Sequence, residues 1–236
     1  MKSFIRRHLY AGKPRSILLW ILLFAFRQQY VQAQCAAAPI AAAACSGGNG
    51  AATNGVNINS GNTYWVNTPT TLTSVNLSGG TLRICSDLTV STLNYNSGYL
   101  VVENGGTLSI GALGSTNLNG NIAIINRGSI TIPGNITFQN SGNYIYNDLS
   151  TSVFTFSGKV TVNSGGLTLI NRGVMNITEL YYQGAAGSTT AGICLGPQSI
   201  TAINKLTNLT ANSFTFSGAG SACVNVGVSA QLTSAL

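Results

Sequence analysis

The sequence predicts an all-β protein, a single-stranded parallel β-helix of roughly 22 residues per coil and about seven coils. Three observations carry that expectation. Past residue 70 the chain runs in short stretches where apolar residues alternate with Thr, Ser or Asn, as in "DLTVSTL", "IAIINRG", "SITIPGNITF" and "VFTFSGKVTV". That is the pattern of strands with one buried face. No segment carries the 3.6-residue apolar period of an amphipathic helix. The corners between the stretches also recur, with Asn104, Asn126, Asn147 and Asn171 following one another at that same near-regular step. A period in that range marks a solenoid, whose unit cannot bury its own apolar face and must stack on its neighbours.

The N-terminal element is a leader. Lys2, Arg6, Arg7, Lys13 and Arg15 precede the uncharged "SILLWILLFAF" from Ser16 to Phe26, the pattern of a secretory signal with an apolar run too short to cross a bilayer comfortably. The run "VQAQ" offers Val31 and Ala33 to a signal peptidase, so residues 1–33 are expected to be removed and the product to be secreted or held on the outer cell surface. Lipid attachment at Cys35 is disfavoured, because Gln32, Ala33 and Gln34 stand where Leu and small residues are wanted. Residues 34–54, rich in Ala, Gly and Asn, read as a flexible lead-in, and residues 55–236 as the β-helix.

Removing the leader changes the charge. Six of the 11 Lys and Arg leave with it while all four acids stay, so five bases face four acids. The basic balance belongs to the leader and gives no reason to expect nucleic acid or, beyond the leader, a membrane as partner. The single histidine, His8, leaves as well. Four carboxylates, Asp87, Glu103, Asp148 and Glu179, are spread too thinly to build acid–base machinery or a metal site, so no catalytic residue, cofactor or metal is expected.

The coils follow from the register. "LTV", "LSI", "ITI" and "FTF" point Leu88, Val90, Leu108, Ile110, Ile130, Ile132, Phe154 and Phe156 inward, and Thr89, Ser109, Thr131 and Thr155 outward. Residues one period apart then lie above each other at the strand spacing of about 4.8 Å. An Asn at the same inward corner of each coil can bond to the next one, so Asn104, Asn126, Asn147 and Asn171 are expected to form a ladder. The neighbouring outward residues read Arg127, Asp148 and Arg172, a ladder of alternating charge. All five cysteines lie past the leader, where disulfides are permitted. The spacing suggests Cys35 with Cys45 around "AAAPIAAAA", and Cys194 with Cys223.

Carbohydrate binding enters through the aromatics, since exposed rings among Asn and Thr can stack on sugars. The pairs Tyr64–Trp65 and Tyr181–Tyr182 are the candidates, with extracellular polysaccharide or cell-surface components as partners. The whole pattern resembles the right-handed parallel β-helix, or pectin-lyase-like, architecture, and within it the Asn/Gly/Thr-rich, weakly charged helices of bacterial secreted surface and adhesin-like proteins. That resemblance implies a structural or adhesive role outside the cell. It also admits polysaccharide lyases and hydrolases, whose acid clusters this chain does not match. The chain ends at "SAQLTSAL" without a recognisable sorting domain, as expected of an opening module or a shortened product.

Overall fold

The computed structural model describes residues 35–119, 121–163, 166–183 and 191–207, together with the backbone of 214–218 and 223–226. The expected leader, residues 1–33, and the side chain of Cys223 lie outside the described residues. Within them there is no helix, and the strands pair in parallel, each coil on the next. The stack is a β-solenoid, and its size is close to the seven coils expected.

Each coil has three faces. Two long strands, Thr70–Ile84 and Asp87–Val102, run round the corners from one face to the next, while later coils break into shorter pieces such as Ile122–Asn126, Ser129–Ile132 and Ile136–Phe138. On the third face Leu82, Leu100, Ile124, Ile145, Leu169 and Ile193 stack in one inward column. The coils are unequal. Positions stacked one above the other are 18 residues apart at Asn76 and Asn94, 24 at Glu103 and Arg127, 21 at Asn126 and Asn147, and 24 at Asn147 and Asn171. The period legible in the sequence is thus an average over coils of different length.

Like residues stack on like residues because the register is parallel. The first-face column Leu88, Leu108, Ile130, Phe154 and Met175 is in direct register and fully buried. Each such side chain contributes about 1.5–3 kcal/mol relative to exposure. The residue between is hydroxylic and faces out, with Thr71, Thr89, Ser109, Thr131 and Thr155 in one column. The recurring Asn-Arg-Gly corner has a steric cause at its third residue. A Cβ on Gly128 would meet the Gly106 carbonyl oxygen at 2.1 Å, and one on Gly173 the Ser152 carbonyl oxygen at 2.3 Å. The backbone of the previous coil lies directly under the corner, so only glycine fits.

The lead-in departs from expectation. Gly50–Ala51 already adds a rung to the third face, with Gly50 beside Tyr64 and Ala51 beside Trp65, so the solenoid starts before residue 55. Residues 35–45 are docked along the stack and are not a loose tether.

Candidate functional site

On the third face three outward columns lie side by side. One passes through Tyr99, Ala123 and Tyr144; the next, two residues on, through Val101, Ile125, Tyr146 and Ile170. The third begins where the strands end, at Glu103, Arg127, Asp148 and Arg172. Main-chain bonds set that last register, since each of the four N–H groups donates to the preceding coil, to Ile84, Val102, Asn126 and Asn147, over 2.7–2.8 Å.

Charges of opposite sign therefore meet one rung apart. Arg127 holds Glu103 Oε2 at 3.1 Å through Nη1 and Asp148 Oδ2 at 3.0 Å through Nε. Arg172 reaches Asp148 Oδ1 at 2.6 Å, and Arg83 closes the other end on Glu103 Oε1. The expected ladder of Arg127, Asp148 and Arg172 is present and longer by Glu103 and Arg83. Sequence reading missed Arg83, which lies on an earlier coil in the Val101 column and reaches across. The Arg127 and Glu103 side chains are only 5% and 7% exposed, so this is a buried network, and its members must be mutually satisfied to be tolerated.

Residues 35–45 bury it. Arg172 Nη2 donates to the carbonyls of Cys35 and Ala36 at 2.7 and 2.8 Å, Arg127 Nη2 to Ile40, and Arg83 Nη1 to Ala43 at 3.4 Å. Glu103 in turn accepts the Ala43 N–H at 3.2 Å. Cys35, Ala38 and Ile40 pack on the column of Val101, Ile125, Tyr146 and Ile170. The segment forms no strand; side chains alone hold it. It is a strap laid along the solenoid axis, with its carbonyls gripped by arginines and its apolar side on the sheet.

The disulfides correct the expected pairing. Cys35 joins Cys194 and Cys45 joins Cys85, with Cα separations of 5.6 and 5.9 Å. Cys35 and Cys45 are close in sequence, but the strap is extended between them over five rungs, about 24 Å at the strand spacing. Each end finds its partner on the coil beneath, which leaves Cys194 already occupied and unable to take Cys223.

The Asn ladder needs one correction. Asn126 Nδ2 donates to Asn147 Oδ1 at 2.9 Å, and Asn147 Nδ2 to Asn171 Oδ1 at 2.8 Å, all three side chains being fully buried. Each also donates to a strand carbonyl, Val153, Val174 and Ile200 in turn. Asn104 is not a rung. The coil separating Glu103 from Arg127 is 24 residues long, so Val102 stands under Asn126 and Asn104 is exposed in the turn beyond it. At the far end Thr201 Oγ1 accepts from Asn171 at 2.8 Å, a rung that sequence reading missed because it is not Asn. A second ladder, Asn57, Asn76 and Asn94, lies outward on the second face.

The aromatic pairs separate, because adjacent strand residues face opposite ways. Tyr64 packs against the core, while Trp65 faces out and donates its indole N–H to the Gly47 carbonyl at 2.7 Å. Tyr182 is buried, and Tyr181 is half-buried with Lys159 Nζ 5.1 Å from its ring centre. Neither pair forms an exposed platform. Inside the solenoid Tyr95 places its hydroxyl 3.0 Å from the Gly98 and Ala123 carbonyls, and burial pushes its pKa above the ordinary phenol range. Burial raises that of Tyr146 too. Among the described residues no cluster of three His, Cys, Asp or Glu is placed to hold a metal, and no helix is long and apolar enough to cross a membrane.

No curated protein and no solved structure matches the chain. A family model does: the one described as the G8 domain matches residues 46–169, from the residue after Cys45 to an inward leucine of the third face. The match spans more than half of the 236 residues and leaves the strap outside it. The chain belongs to the G8 domain family.

Proposed function

We propose that this G8 chain is an exported, non-enzymatic solenoid with a structural or adhesive role at the cell surface or outside the cell. The observation that carries the reading is the strap. A segment covalently fixed at both ends to coils far apart in the stack, Cys35 to Cys194 and Cys45 to Cys85, is a lengthwise brace, and such disulfides persist in oxidising surroundings. G8 domains are found in extracellular proteins, and the leader pattern of residues 1–33 agrees. Three of the four acids are used internally, and the fourth, Asp87, stands exposed on the first face. Glu103 and Asp148 each bind two arginines, and Glu179 pairs with Lys205 at 3.4 Å, which argues against a polysaccharide lyase or hydrolase needing free carboxylates.

The test is the native product isolated from fractionated cells and medium, its mass read with and without reductant. The expected species lacks residues 1–33, is found outside the cytoplasm, and carries both disulfides. A cytoplasmic product with free thiols overturns the reading. Binding of an extracellular polysaccharide is the second reading, favoured by two tyrosines that stand exposed on the third face, Tyr99 and Tyr144.

A further inference from the structure

We propose that the open column beside the strap is a binding strip for a neutral polysaccharide chain lying along the solenoid axis across Tyr99 and Tyr144. The inference rests on the reading of the chain as an extracellular adhesive module and names its ligand class.

The strip is set by register. Thr81, Tyr99, Ala123, Tyr144 and Thr168 are successive rungs of one outward column. Elsewhere the outward columns are mostly Thr, Ser and Asn; here two large rings break the pattern, exposed by 36% and 40%. They stand two rungs apart, about 9.6 Å at the strand spacing, with the methyl of Ala123 as the only side chain between them. Ala123 is only 6% exposed, which makes the floor of the strip apolar and leaves the two rings as its exposed surface. The strip falls at the foot of the strap, which covers the adjoining column and forms one wall.

One of the two rings, Tyr144, is braced. Tyr144 stacks on Tyr146, with ring centres 6.2 Å apart and planes 21° from parallel. Tyr146 is pinned under the strap in the cluster that includes Cys35, Ala38 and Ile40. A ring held this way loses little conformational freedom when a ligand stacks on it.

The chemistry selects sugar. The apolar C–H face of a pyranose packs on a phenol ring, and hydroxyls of Thr81 and Thr168, with the exposed Asn121 at the strip's margin, can exchange hydrogen bonds with sugar hydroxyls. Two half-exposed rings are far too small for a stable protein interface, which needs about 800 Å² per partner. The column has no formal charge, and the arginines of this face, Arg83, Arg127 and Arg172, are committed to Glu103, Asp148 and the strap carbonyls. An anionic glycan therefore meets no available counter-charge. Two rings in line with the axis, separated by a small residue, suit alternate units of an extended chain.

The experiment is affinity electrophoresis of residues 34–236, disulfides formed, through gels holding soluble neutral polysaccharides (mixed-linkage β-glucan, arabinoxylan, galactomannan) or anionic polygalacturonate. At least one neutral polymer should retard the protein. Tyr99→Ala and Tyr144→Ala should each weaken that binding about three- to tenfold, and the double variant should abolish retardation. Tyr181→Ala, on another face, should bind as the parent does, and melting curves should show all variants folded. Retardation by polygalacturonate alone, unchanged binding of the double variant, or no retardation by any polymer overturns the proposal. None of these touches the location and disulfide content by which the structural reading stands or falls.

Discussion

At Asn147 every polar atom of the carboxamide is in use. Nδ2 donates to Asn171 Oδ1 and to the Val174 carbonyl, while Oδ1 accepts from Asn126. Leucine is close in size but leaves several buried partners unpaired, at about 1–3 kcal/mol for each group left unsatisfied. Asn147→Leu should therefore lower the unfolding free energy by at least that amount, whereas Asn104→Ala should stay within about 0.5 kcal/mol. Denaturant titration of the two variants decides it; equal effects would mean that the ladder adds nothing. Tyr95 supplies a pH test. Burial raises its folded pKa above the unfolded value of about 10. The folded state therefore holds the phenolic proton more tightly, and the stability this confers is complete below pH 10 and lost as pH rises above it. Tyr95→Phe should be less stable at pH 7, since the hydrogen bond that the single hydroxyl proton shares between the Gly98 and Ala123 carbonyls is lost, yet decline less steeply between pH 10 and 11. Parallel stability curves for variant and parent would refute this.

The strap shows how an element can be ordered without pairing to a sheet. Three arginines take its carbonyls, an apolar column takes its side chains, and a disulfide closes each end. A native cross-link of this kind typically contributes about 2–4 kcal/mol, and more for long loops. The double variant Cys35→Ser, Cys194→Ser should melt earlier and become open to protease between residues 36 and 44. It should also bind an apolar dye through the uncovered column of Val101, Ile125 and Ile170. Resistance equal to the parent's would show that the arginines, the apolar column and the Cys45–Cys85 bond hold the strap without the Cys35–Cys194 bond. Within the charge ladder, Glu103→Gln strips a buried partner from both Arg83 and Arg127 and should destabilise by about 3–5 kcal/mol. Lys205→Ala removes a pair whose lysine is 48% exposed, and about 0–1 kcal/mol is expected. Thermal denaturation of the two variants separates the buried network from surface decoration.

The described coils form one compact unit in which each touches mainly its neighbours, so the stack is close to one-dimensional and would be expected to open from its ends. The strap changes that by tying the coil of Cys194 to that of Cys85. Hydrogen exchange should report it. In the parent, Ala191–Leu195 should be protected to a degree approaching Ile122–Asn126, and in the Cys35→Ser, Cys194→Ser variant the outer strand alone should exchange faster. A uniform increase across both strands would mean that the unit opens only globally.

Alternation within a few residues and a period repeated over many are both local properties, and they determined the parallel coils, the inward Leu, Ile and Phe columns and the outward Thr column. They also placed Asn126, Asn147 and Asn171 one above another. The period misled where coils differ in length. Asn104 sits one average period before Asn126, but the coil between Glu103 and Arg127 is 24 residues long, so the rung went to Val102. Only the tertiary structure decided the rest. Arg172 grips a carbonyl 137 residues away, and Cys35 bonds to a residue 159 positions on, separations over which no local pattern carries information. The exposure of Tyr99 and Tyr144 is of the same kind, because which outward columns stay open depends on where the strap comes to rest.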